Sequence, residues 1–146
     1  MAIQHLSTVL CEQARRDAQG RLTLAGVFTS IEASCFPAHR EQTTIYVALR
    51  GQPGDPFAIA LRLPDGREEC ACSGEVERPP DDQFGTIPRE FQVIVDASNI
   101  GFDRAGVGAV LVQSGETLLH TQEFVVFASP GSEAEAETAE RLAGHV

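Results

Sequence analysis

The stretch FAIALRLPDGREECACSGEVE, Phe57 to Glu77, decides the fold class. Phe57, Ile59, Leu61 and Leu63 alternate with small or charged residues, the period of a strand with one buried face. Asp65-Gly66 is the strongest hairpin signal in the chain, so Glu68 to Glu77 is expected to return antiparallel to Phe57–Leu63. On that strand Cys70, Cys72, Gly74 and Val76 share one face, and Glu69, Ala71, Ser73, Glu75 and Glu77 share the other. Three Glu and a Ser mark the second face as the wet one, which turns both thiols inward to pack. Same-face neighbours on a strand lie about 6.7 Å apart with parallel side chains, at the outer limit of disulfide geometry. Zinc sites use cysteine pairs in turns, usually two such pairs, and Cys11, Cys35, His39 and His120 show no paired spacing that would complete one. The cysteines are therefore read as core residues, with no metal site.

Working outward, the same period recurs. Ser7 to Ala14 reads as a first strand, Asp17-Ala-Gln-Gly20 as its turn, and Leu22 to Ala33 as a long second strand kinked or bulged at Gly26, the two pairing as a hairpin. Phe36-Pro37 lies in a connection, Ser34 to Gln42, that leaves the sheet, since proline cannot donate to a ladder. Thr43 to Arg50 turns Ile45, Val47 and Leu49 to one face. Phe91 to Asp96 is a further strand, Asn99 to Gly106 a turn, and Val107 to Gln113 with Thr117 to Ala128 a last hairpin. No segment of helical period separates the strands. The fold expected is all-β: a two-layer antiparallel β-sandwich of about seven to nine strands, immunoglobulin-like or Greek-key-like, over residues 1–129. Residues 130–146 form an acidic Ala/Glu-rich tail, flexible or a short helix, because its alanines offer little area to bury.

Charge narrows the function classes. The chain of 146 residues carries a net charge of −10, of which the tail contributes only −3, and its eleven basic residues are all Arg, scattered along the sequence. Such a surface repels phosphate backbones and anionic headgroups, so neither nucleic acid nor membrane is an expected partner. The N-terminal sequence has neither a basic region nor a long apolar one, no apolar run approaches a membrane span, and four irregularly spaced cysteines read as thiols in a reducing compartment. The expected location is the cytoplasm.

Chemistry-bearing motifs are sparse. His5, His39, His120 and His145 lie in no nucleophile context, and no Gly-x-Ser-x-Gly is present. His120 reads as an outward strand residue between Leu119 and Thr121. Gly101 to Gly108 lacks the Lys-Ser/Thr of a phosphate loop and leads into a strand, so it is a turn. Asp81-Asp82 lacks the alternating oxygen ligands of a calcium loop. Arg50, Arg62, Glu69, Glu75 and Glu77 read as solvated surface. Phe84 and Ile87, in the polar loop from Pro79 to Pro88, either tuck beneath it or present a contact.

Three stretches then look familiar together: Asp17-Ala-Gln-Gly20-Arg-Leu-Thr-Leu-Ala-Gly26-Val-Phe28, Cys35-Phe-Pro37, and Asn99-Ile-Gly-Phe102 through Gly106. Over residues 6 to 128 the chain resembles a family of small, uncharacterised bacterial β-sandwich proteins with a GKLTLIGIFD-type N-terminal hairpin, an SFP connection and a PG-type C-terminal hairpin. It departs where the family's Pro-Gly-x-Tyr reads Ala105-Gly106-Val107-Gly108 and where its Lys reads Arg21. The resemblance implies a fold and no activity, substrate or catalytic residue. The expectation is a non-enzymatic protein-interaction or structural accessory module, with no catalytic, cofactor-binding or metal residues and no cofactor. It would act through a strand edge or the loops around Phe36-Pro37 and Gln83 to Ile87, on a basic or neutral protein partner or as a homo-oligomer. The alternative is a small-ligand or metal-binding β-sandwich module.

Overall fold

The computed structural model describes residues 3–77 and 88–129; the side chain of Cys70, the loop residues Asp81, Asp82, Phe84 and Ile87, and the tail lie outside them. Among the described residues all regular structure is β: β1 (Gln4–Cys11), β2 (Gln13–Arg16), β3 (Leu22–Ala25), β4 (Ser30–Ala33), β5 (Ala38–Arg40), β6 (Thr44–Gly51), β7 (Pro56–Arg62), β8 (Glu68–Glu75), β9 (Arg89–Asp96), β10 (Ile100–Phe102), β11 (Gly106–Ser114) and β12 (Thr117–Ala128). No helix among them is long and apolar enough to cross a membrane.

Two sheets share the core: a three-stranded sheet in the order β1-β6-β9 and a five-stranded sheet in the order β4-β12-β11-β7-β8. β6 lies at the centre of the first because its alternation is complete, and Ile45, Val47 and Leu49 are wholly buried. Against them the second sheet turns Ile59 and Leu61 of β7, Val110 and Val112 of β11, and Phe124 and Val126 of β12. A side chain of this size contributes about 1.5–3 kcal/mol when fully buried, so these residues dominate the stabilisation. Two small ribbons, β2-β3 and β5-β10, flank the main sheets.

The expected β7–β8 hairpin forms, with Leu63 and Arg67 bracketing a three-residue loop. Gly66 takes a φ of +93°, and the Asp65 carboxylate accepts the Arg67 backbone N–H at 3.0 Å and its guanidinium Nε–H at 2.6 Å. A left-handed glycine closing such a loop is the usual solution for three residues. The β2–β3 turn repeats it: Asp17 Oδ1 accepts the amides of Gln19 and Arg21, both at 2.9 Å, and Gly20 has a φ of +79°.

The departures from this reading have local causes. The strand expected from Leu22 to Ala33 is two strands, because Gly26 sits at a φ of +70° under the Glu12 side chain and turns the chain out of the ribbon. Phe28 then bridges to Leu10, and Ser30–Ala33 joins the five-stranded sheet, where it runs parallel to Val125–Ala128 of β12, so that sheet is not antiparallel throughout. The first strand likewise breaks, at Glu12, and Ile100–Phe102, expected within a turn, pairs with Ala38–Arg40. These breaks and short ribbons raise the strand number above the expected seven to nine.

A further departure is a bulge in β8. Ile59 pairs with Cys72 but Ala60 pairs with Cys70, leaving Ala71 as the extra residue. Downstream the alternation holds: Cys72 and Val76 pack inward while Ser73, Glu75 and Glu77 are exposed. Ala71, expected on the wet face, packs against the core instead. Alternation is not carried through a bulge, and the face of Cys70 lies outside the described residues.

The last departure is His120. A register shift between Val112 and Gln113 leaves Leu119 as the extra residue of β12. Leu119 and His120 are both half-buried, so His120 does not face outward.

Candidate functional site

β8 ends the five-stranded sheet and β9 ends the three-stranded sheet on the same side of the core. Along that side two clefts follow each other, one beside Glu75 and Arg89 and the other beside Glu69 and Asp96. β8 and β9 therefore run antiparallel across an opening whose length, for eight-residue strands, is about 25 Å.

The first cleft, of about 450 Å³, has an apolar floor of Phe57, Val76, Phe91 and Val93. The Phe57 and Phe91 rings reach towards each other from opposite layers, with centroids 5.5 Å apart and planes tilted by 50°. Hairpin register sets Gly74 directly across from Phe57, and a Cβ at Gly74 would lie 3.2 Å from the ring tip. Glycine thus lets the ring lie over β8. The second cleft, of about 430 Å³, is floored by Leu61, Leu63, Ala71 and Ile100.

The rims are acidic. Glu75, Glu77 and Glu90 face one guanidinium, Arg89, in the first cleft, and Glu69, Asp96 and Asp103 face one, Arg67, in the second. Arg67 is itself engaged by Asp65 at 2.6 Å and by Asp103 at 3.6 Å, and Glu90 pairs with Arg50. Hydrogen bonds from the Ser98 hydroxyl and amide hold the Asp96 carboxyl below the usual carboxylate range. The Arg67 amide and guanidinium do the same for Asp65. Both stay ionised at neutral pH, and the opening presents negative charge over apolar ground.

The nucleophilic and titratable residues are dispersed. Cys11 is wholly buried, its Sγ 3.7 Å from the Thr44 carbonyl oxygen, and burial pushes its thiol up. Cys35 is exposed beside a smaller cleft that His39 also lines; His39 lies 3.3 Å from Asn99 Oδ1. Phe36, partly buried, packs against the core, and Pro37 beside it is exposed. His5 and His120 stack on the far side of the molecule. Among the described residues no three or more His, Cys, Asp or Glu gather as a metal would require.

The residues of the opening were only partly legible. Glu75 and Glu77, a solvated face by sequence, form its rim. The facing of Phe57 and Phe91, which lie 34 positions apart, carries no local signal in the sequence. Gly74 opposite Phe57 was concealed because counting back from the Asp65-Gly66 turn misses the bulge.

No curated protein matches this chain. Residues 6–127 do match a family model whose description is "Family of unknown function (DUF6941)". With that match spanning most of its length, the chain belongs to the DUF6941 family.

Proposed function

We propose that this domain is a non-enzymatic protein-interaction module of the bacterial cytoplasm that takes up an extended, cationic and apolar segment of a partner along the β8–β9 side. The observation carrying this reading is the coincidence of two sheet-ending strands, an aromatic floor and six rim carboxylates against two guanidiniums. A strand edge offers main-chain hydrogen bonds to an extended peptide, and alternate side chains of that peptide then fall into the cleft. The carboxylates select arginine- or lysine-bearing segments and speed their encounter. Cys11 and Cys35, free thiols, support a reducing compartment.

A capped twelve-residue peptide alternating Arg and Val serves as the probe, followed by amide chemical-shift mapping. Shifts confined to β8 and β9, weakened by high salt and by a Glu75→Arg/Glu90→Arg variant, are the expected result. No shifts at millimolar peptide, or equal shifts from a Glu/Val peptide, would refute the reading. The volume of the first cleft favours a second reading, a small ligand, since such pockets span about 300–1,000 Å³. That version predicts a thermal shift with a metabolite that Phe57→Ala abolishes, and no binding of the peptide.

A further inference from the structure

Opposite the β8–β9 opening, β1 and β12 bring one histidine each into the space between the layers. His5 pairs across the ladder with Leu49 and His120 with Val112, and both partners are wholly buried. The imidazoles stack face to face, with centroids 3.9 Å apart and planes 6° from parallel. His5 Nε2 lies 2.6 Å from Thr8 Oγ1, a backbone hydrogen bond to Ser7 favours a proton on the same ring, and His120 Nε2 lies 3.3 Å from Gln122 Oε1.

Among the described residues neither ring takes part in an ion pair. β1 offers Ser7 and Thr8, β6 offers Leu49, β11 offers Val112 and Gln113, and β12 offers Leu119 and Gln122. The nearest charged neighbours in sequence are turned away: Arg50 is exposed and pairs with Glu90, and Glu123 is exposed one position beyond Gln122. The opposition to a proton on His5 comes first from burial and then from the His120 charge, and together these hold its imidazole below the ordinary histidine value.

A single imidazolium over a neutral ring is tolerated, as a cation over a π face. Two imidazoliums at this separation repel with no counter-ion between them. The strand is also built to yield here. A register shift between His5 and Ser7 makes Leu6 an extra, exposed residue, so Gln4 and His5, paired with Arg50 and Leu49, are set off by a bulge from the rest of the β1–β6 ladder. We propose that the His5–His120 stack is an acid-released latch between the two layers: closed, it holds at most one proton, and a second frees the start of β1 and draws the buried Ile3 out of the core. Ile3 is the residue exposed, since its side chain packs over Gly51 at the end of β6.

The test is carried out on the full chain. Histidine ring resonances are followed from pH 8 to pH 4.5 in the wild type, in His120→Phe, which keeps a ring without the charge, and in His120→Gln. His5 is expected to titrate below its value in the urea-unfolded chain and to move up towards it in both variants. Amide exchange at residues 3–6, corrected for intrinsic rates, is expected to rise in the wild type as pH falls from 7 to 5. The rise approaches tenfold per pH unit for each proton taken up on opening. The rise is smaller in His120→Phe, where only burial still opposes the His5 proton. A His5 titration unmoved by either substitution, or wild-type exchange at these amides flat from pH 7 to 5, overturns the proposal; the wild-type measurement decides even where a variant fails to fold.

Discussion

Gly108 on β11 faces the core where a methyl group has no room. A Cβ there would lie 2.4 Å from Phe124 Cζ, 2.6 Å from Cε2 and 2.9 Å from the Arg62 carbonyl oxygen. Ordinary contact for such atoms begins near 3.4 Å, so in Gly108→Ala the ring must retreat by about 1 Å. It has nowhere to go: Phe124 is 2% exposed and meets Phe102, 1% exposed, edge-on with centroids 6.3 Å apart. The Arg62 carbonyl is equally constrained, as Arg62 pairs with Ala109 in the β7–β11 ladder. Overpacking of a filled core costs about 1–3 kcal/mol, and a clash with both a ring and a backbone belongs at the upper end, about 3 kcal/mol. With a urea slope of about 1.5 kcal/mol/M the unfolding midpoint falls by roughly 2 M. Phe124→Leu removes the clashing ring atoms, so the double variant is expected to be at least about 1 kcal/mol more stable than the sum of the single effects predicts. A Gly108→Ala midpoint within 0.3 M of wild type, or simple additivity in the double variant, refutes the packing argument.

Under native conditions a thiol reagent should modify Cys35 quickly and Cys11 about a hundredfold more slowly, since Cys11 is wholly buried and its thiolate disfavoured; comparable rates, followed by mass spectrometry, would contradict this placement. Asp65 is held below the ordinary carboxylate value in the folded chain, so its contribution is complete above about pH 4 and is lost as pH falls through the folded value. Melting temperatures at pH 7 and pH 2.5 should accordingly differ less in Asp65→Asn than in wild type. Gly26→Ala places a β-carbon at a φ of +70° and against the Glu12 side chain, which should cost about 1–2 kcal/mol and be read as a lowered melting temperature.

How far the sequence reached depends on how local the cause was. The core of β6 was legible residue by residue, because Ile45, Val47 and Leu49 alternate without interruption and the strand has a neighbour on each side. The two Asp-and-Gly turns were legible because an aspartate bonding to nearby amides and a glycine at positive φ act within five residues. Parity failed at Ala71 and at His120, where one extra residue shifts the register between the partners on either side of it. Such a residue looks like any other in the one-dimensional pattern. The opening between β8 and β9 was legible only as acids on a wet face, since its floor depends on Phe57 and Phe91 meeting from different sheets.

By itself, then, the chain's order of residues determined that it would form strands, where most of them turn, and that its folded surface would be acidic, because backbone sterics, alternation and charge count act locally or additively. Only the tertiary structure decided that β4 joins β12 in parallel, that two bulges shift the faces of β8 and β12, and that two histidines 115 positions apart stack between the layers. These outcomes follow from which distant strands gain most burial by pairing, a choice made by the packed core as a whole.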